Sequence, residues 1–298
     1  MDKQKLGVNA AKTSEEPSLR SSLLRPGLLR HLVLLLCFAP VSLTAQIAPA
    51  PEPPAIQDNS FLIEEAYNQE QGIVQHISIF RSYRGSSDFD AAFTQEWPLG
   101  GITHQLSYDL PVVRFARETG IGDVRVNYRY QWIGSGLTLL AVSPRISVAF
   151  PTGDWKQGRG AGAPGIEGML PLSHVISPLL TQHVNAGAAF SPSARNLAGQ
   201  RANTFGFTLG HSFIVTANPN FQMMVETLYN RAQEVVGESD TEWADDFVIS
   251  PGFRSALNFE SGLQIVPGVA IPIGVGPSSG SRGVFVYLSF EHAFRRTP

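Results

Sequence analysis

Ionisable side chains in this chain alternate with apolar ones, and that spacing decides what chemistry they can do. From Asp123 to Trp132 the odd positions are Asp123, Arg125, Asn127, Arg129 and Gln131, and the even ones Val124, Val126, Tyr128, Tyr130 and Trp132. Successive strand side chains point to opposite faces, so one face is polar and the other apolar or aromatic. The same parity places Asp109, Asp123, Arg125, Asn127, Arg129, Arg145, Glu167, Glu226, Arg254 and Glu291 on polar faces. Two roles are open to such a mixture. Arg125, Arg129 and Arg145, on adjacent strands, could draw polar or anionic solutes along a watery path. Alternatively, acids and arginines could pair with one another and fill a narrow interior, since buried charges must be paired.

Other chemistry is less well supported. A hydrolase needs a serine and a histidine in reach of each other with a polar orienter. His211 and Ser212 are adjacent, so they face opposite ways, and so do His104 and Ser107. A pair across strands stays open, but no enzyme is expected. The acids Glu234, Glu238, Asp240, Glu242, Asp245 and Asp246 could suit a hard cation. Their spacing lacks the Asp-x-Asp-x-Asp-Gly pattern, and a solvated acidic loop is the better reading. The Gly-rich stretch after Pro151 has no G-K-[ST] ending and so is no phosphate loop. An external loop that can turn inward as a constriction is expected there. No metal or cofactor is expected.

The elements that position these residues read as strands. Twelve are expected, near 73–83, 88–98, 101–111, 121–133, 137–151, 165–175, 180–191, 203–215, 219–231, 246–256, 261–272 and 283–294. Their number, with few helical segments, means an all-β fold. Every second connection is tight, as at Ile176–Leu179 and Thr216–Pro219. The others, 112–120, 152–164, 192–202, 232–245 and 273–282, are long; only the one around Arg84–Ser87 is short. Alternating short and long connections mark a membrane barrel with short periplasmic turns and longer external loops. A Greek-key sandwich has no reason to obey that parity. The expected fold is therefore a closed antiparallel up-and-down transmembrane β-barrel over 73–298. Trp97, Tyr128, Tyr130, Trp132, Phe150, Phe221, Tyr229 and Phe294 fall at strand ends, as interfacial girdles would.

The N-terminus carries an export pattern. Arg20, Arg25, Arg30 and His31 precede the apolar run Leu32–Ala39, and small residues follow to Ala45. This is a signal peptide, with cleavage expected after Ala45. It would remove Cys37, the only cysteine. Residues 1–45 hold six Lys or Arg and three Asp or Glu, so the whole-chain 22 and 25 fall to 16 and 22, a net charge of −6. Nucleic acid is disfavoured as a partner. Residues 46–72 read as a Pro-rich periplasmic lead-in followed by a short segment, Phe61–Gln69, that is helical or extended. Leu62, Ile63, Ala66 and Tyr67 fit one helical face, and Glu64-Glu65-Ala66 leans helical.

Specific motifs add a family resemblance. Gly120-Ile121-Gly122-Asp123 opens one strand, the next runs into Pro151-Thr152-Gly153-Asp154, and a Gly-rich loop follows from Gly158 to Gly165. This pattern, over roughly residues 120–190, resembles the bacterial family named for the MetA pathway of phenol degradation. The resemblance implies an outer-membrane barrel of a Gram-negative cell, of the kind labelled "transporter", that passes small organic molecules. The last strand, Val284 to Phe294, ends on an aromatic residue. It resembles the signal read by the barrel-insertion machinery. The expected function is passive passage of small solutes, aromatic or hydrophobic ones among them, in contact with outer-membrane lipids. The alternatives are a closed-lumen structural or adhesion barrel and, more remotely, a lipid-modifying hydrolase.

Overall fold

The computed structural model describes Ile56 and residues 59–294. The export pattern, Cys37 and the Pro-rich residues 46–55 lie outside the described residues. The strands are β1 (Ile73–Tyr83), β2 (Phe89–Pro98), β3 (His104–Phe115), β4 (Glu118–Ile121), β5 (Val124–Tyr130), β6 (Leu140–Val142), β7 (Arg145–Phe150) and β8 (Gly165–Ser177). They continue with β9 (Leu180–Arg195), β10 (Arg201–Asn218), β11 (Phe221–Gly237), β12 (Asp240–Ser255), β13 (Leu257–Asn258), β14 (Gln264–Ala270), β15 (Ile273–Gly274) and β16 (Gly283–Ala293).

Twelve staves close a ring, in the order β16, β1, β2, β3, β5, β7, β8, β9, β10, β11, β12, β14, and β14 returns to β16. Every pairing is antiparallel. The remaining short strands extend staves: β6 carries β7 on across Ser143-Pro144, and β15 carries β14 on along β12. β4 folds back on β3 through Ala116 and Arg117, both at positive φ. Closure leaves no stave with an unpaired edge, which is what a strand needs to sit in hydrocarbon.

The two faces fall as the alternation requires. On β5, Val126, Tyr128 and Tyr130 are exposed on the outside, while Asn127 and Arg129 are buried within. On β10, Phe205, Phe207, Leu209 and Phe213 face out, and Gly210 and Ser212 face in. Trp97 packs on Phe294, and Phe221 on Phe253, with ring centroids 5.3 and 5.9 Å apart, at the short-turn end. Among the described residues no helix is long and apolar enough to cross a membrane.

Connection parity holds only in part: 238–239 and 196–200 on the expected long side are as short as 178–179 and 99–103 on the other, where 131–139 is long. The segment expected as the acidic loop 232–245 is a β-hairpin, because β11 and β12 stay paired out to Gly237 and Asp240. Tyr229 and Arg231 bond Asp245 across it, and Arg231 lies over the Trp243 ring. Cross-strand pairs thus outweigh the turn-like, charged composition that suggested a loop. Connection 192–202 is shortened in the same way by β9 and β10.

An apolar outer wall makes a depth-dependent prediction. Leu209→Arg, near the middle of β10, should cost about 2–4 kcal/mol if it faces the bilayer midplane. Thr208→Arg, one position away on the inner face, should be milder. The urea midpoint for loss of the folded band on unheated gels compares them.

Candidate functional site

The lumen is occupied at its short-turn end by the chain itself. Residues 59–69 are neither helix nor strand; they run round the inner wall as an irregular belt. Of the helical and extended readings of Phe61–Gln69, the helix does not form, because side chains, not carbonyls four residues back, take the N–H groups. Asn59 Oδ1 takes that of Glu65 at 3.1 Å, and wall residues take those of Leu62, Ile63, Glu64, Ala66, Asn68 and Gln69. Leu62 and Ile63 donate to Glu226 Oε1 at 2.8 and 3.2 Å. Glu64 donates to Asn185 Oδ1 at 2.7 Å, and Asn185 Nδ2 donates back to Glu64 O at 2.8 Å. Ala66 donates to Ser173 Oγ at 2.7 Å, Asn68 to Gln131 Oε1 at 2.9 Å and Gln69 to Gln105 Oε1 at 2.7 Å. Gln69 Nε2 then donates to Gln75 Oε1 at 2.6 Å, just inside β1. From residue 62 to 69 the belt meets β11, β9, β8, the end of β5, β3 and β1 in turn.

Two arginines grip its carbonyls. Arg129 donates to Glu65 O and Tyr67 O at 3.2 and 2.5 Å, and to Asn68 Oδ1 at 2.9 Å. Its ion-pair partner, Glu96, stands at 3.8 Å. Arg254 donates to Asn59 O at 2.5 Å and to Gln222 Oε1 at 2.8 Å. The planar guanidinium suits this task, since its donors fan out in a fixed fork.

Apolar contacts complete the plug. Ile56 and Phe61 are buried with inward-facing Ile77, Ile214, Met224, Val266, Phe285 and Tyr287. The Phe61 ring lies 5.6 Å from Phe285 and 5.3 Å from Tyr287. Gly252 and Gly268 make room for it: a Cβ on Gly252 would stand 2.7 Å from Cε2 of Phe61, and one on Gly268 would stand 2.5 Å from Cε1. Tyr67 meets His183 edge-on at 6.2 Å. Burial pushes the Tyr67 phenol well above its ordinary range, with Glu65 adding to the shift, so it stays neutral.

All ten polar-face residues singled out from the sequence point inward, but they divide by partner. Arg129, Glu226 and Arg254 hold the plug. Arg145 bridges Glu64 and Glu167, each at 2.7 Å, and donates to Asn127 Oδ1 at 3.1 Å. Asn127 and Thr94 both donate to Asp109, at 3.1 and 2.7 Å. Asp123 fastens the loop after β7. Glu291 lies beside Gln75 and Gln264 in the ladder. Arg125 is the loosest, 47% exposed and 3.7 Å from Glu167.

Above the plug, towards the long connections, a cavity of about 230 Å³ remains. Arg125, Glu167, Ala149, Ala189, Gly206 and Ala232 are among its lining residues. The sequence does not reveal the plug contacts of Asn185, Ser173, Gln131, Gln105 and Gln75. Their one visible signal is an uncharged polar residue on an inward position near a short turn. The apolar half of the lumen had a clearer one. In Val284–Phe290 both parities are mostly apolar, which marks a strand dry on both faces.

Ser173 Oγ and His183 Nδ1 stand 2.7 Å apart across β8 and β9. Both are buried beneath the plug, and Ser173 already accepts from Ala66. Among the described residues no cluster of three or more His, Cys, Asp or Glu could hold a metal.

No family model matches this chain, and no curated protein does. Among solved structures, the COG4313 outer membrane channel from Pseudomonas putida F1 is similar over 80% of this chain and 100% of its own, at 9% identity and TM-score 0.58. The NanC porin is similar over 75% of this chain and 100% of its own, at 11% identity and TM-score 0.49. The KdgM porin gives 74%, 99%, 9% and 0.48 for the same quantities. The fold is that of the outer-membrane β-barrels.

Each lost belt acceptor leaves a buried N–H unpaired, at about 1–3 kcal/mol. Glu226→Ala and Asn185→Ala should therefore each speed hydrogen exchange at the amides they hold, Leu62–Ile63 and Glu64 respectively, by roughly tenfold or more. Exchange along β5 should not change.

Proposed function

We propose that this protein is a passive outer-membrane channel for small solutes, of the family named for the MetA pathway of phenol degradation. One observation carries the reading: the lumen of a closed barrel with an apolar outer wall is filled by a segment that side chains hold and no ladder includes. A structural barrel could fill its interior with wall side chains alone, as narrow barrels do. Here the filling is a separate piece of chain, and a cavity lies above it. The GIGD and PTGD motifs that carry the family resemblance are both used in shaping that cavity. Its lining, with several Ala and Gly and a half-exposed Arg125, suits a compact solute with an apolar body. Aromatic and other hydrophobic molecules are the favoured class. Entry is by diffusion, with selectivity set by width and lining charge. An outer-membrane location is supported by the exposed apolar wall of the barrel.

The hydrolase alternative is disfavoured by the Ser173–His183 pair itself. The plug covers it, and its serine is engaged in holding the plug.

Purified protein in planar bilayers tests the channel reading. Wild type should pass ions weakly. Asn185→Ala combined with Gln105→Ala should raise conductance several-fold by loosening the belt at two points. A closed-lumen barrel would give no current above the empty membrane in either form.

A further inference from the structure

The Gly-rich loop 152–164 is fixed in the barrel mouth by side chains from both sides. Asp123 accepts from Gly153 N at 2.9 Å on one carboxylate oxygen and from Ala161 N at 2.7 Å on the other. Charged acceptors for backbone N–H groups make the stronger class of hydrogen bond. Glycine is required where the carboxylate enters: a Cβ on Gly160 would stand 2.9 Å from Cγ of Asp123. Thr152 Oγ1 donates to Gly122 O and accepts from Val124 N, at 2.8 and 2.9 Å. The two motifs GIGD and PTGD are therefore the two halves of one clasp.

The far side is fastened as well. Arg195 N donates to Ala161 O at 2.8 Å, and the Arg195 guanidinium lies 5.1 Å over the Trp155 ring. The loop thus reaches from the start of β5 to the end of β9 with its middle held at both ends of that span. Of this loop, Ala161 and Ala163 line the cavity, together with Ala189, Gly206 and Ala232 of the wall.

We propose that Ala161 and Ala163 set the largest solute cross-section the channel admits, and that Asp123 is the positioning residue that holds them there. This rests on the channel reading and adds a second constriction, separate from the plug. Methyl side chains on a pinned backbone leave a fixed width, so the limit is set by side-chain volume at these two positions. The plug contacts are remote in sequence and touch neither residue, so the two constrictions can be altered independently.

Cysteine modification tests it. In a Cys37→Ser background, Ala161→Cys is reconstituted and treated with water-soluble methanethiosulfonate reagents of increasing size. Conductance should fall in steps with reagent size, while Leu197→Cys, exposed on the neighbouring connection, should show no change. Ala163→Leu should lower the size cut-off in liposome swelling, and Asp123→Ala should raise it or blur it. Asp123→Asn, which keeps an acceptor for one of the two N–H groups, should fall between. All are compared at equal amounts of folded, heat-modifiable barrel, so a folding defect is read separately. The same series is run with Asn185→Ala and Gln105→Ala, so a closed plug does not mask the result. If that protein conducts and neither modification nor Ala163→Leu changes passage, the proposal is overturned. If it does not conduct at all, the channel reading has failed, and this one with it.

Discussion

Closure uses up the backbone. In a ring of twelve antiparallel staves each stave already has two neighbours, so any chain entering the lumen brings N–H and C=O groups that no ladder can take. Left unpaired away from water, each is costly. Here the side chains of the wall do the pairing. Glu226, Asn185, Ser173, Gln131 and Gln105 accept from the belt, and Arg129 and Arg254 donate to it. Most of the remaining inner wall follows from that requirement. It explains why uncharged amides and hydroxyls, which a simple ion conduit has little use for, are buried at the short-turn end.

The same requirement settles the ambiguity of the lumen arginines. On sequence alone Arg125, Arg129 and Arg145 are equivalent, three guanidinium groups of one polar face. Their surroundings differ because the belt passes one end of the barrel only. Arg129 lies at belt level and is consumed by its carbonyls. Arg145 is reached by the belt's own Glu64 and is balanced between two carboxylates. Arg125 lies above it and keeps a half-exposed guanidinium. A charge that attracts solute has to be one that the fold has not already used.

Much of the fold was legible because it depends on a local period. Alternation of two gives the strands, their faces and, through connection length, the barrel. It fails where pairs far apart in sequence decide. The Glu64-Glu65-Ala66 run favours a helix by composition, yet the N–H groups of Glu64 and Ala66 go to strands more than a hundred residues away, at Asn185 and Ser173, and that of Glu65 to the Asn59 side chain. The acidic run 234–246 looks like a loop, yet Tyr229 and Arg231 hold Asp245 across a hairpin. Asp123 carries the opposite lesson. Its parity turns it inward, but only the arrangement of Gly153, Gly160 and Ala161 around it shows that its carboxylate clasps the loop.

The belt's sequence is matched to the wall in order as well as in composition. Ile56, Phe61 and Leu62 of its first part pack on the staves that present Phe285, Tyr287, Val266 and Met224 inward. Its second part, Glu64 to Gln69, crosses staves that present Asn185, Ser173, Arg145, Arg129 and Gln105. Because the belt runs against the numbering of the wall, a one-residue slip would move Phe61 off Gly252 and Gly268 and Glu64 off Arg145 at once. The plug therefore has one seated register, held by many modest contacts. The hold is shared among many contacts, so loosening should be graded with each one removed. A piece of chain seated in this way can close a lumen without being part of its wall.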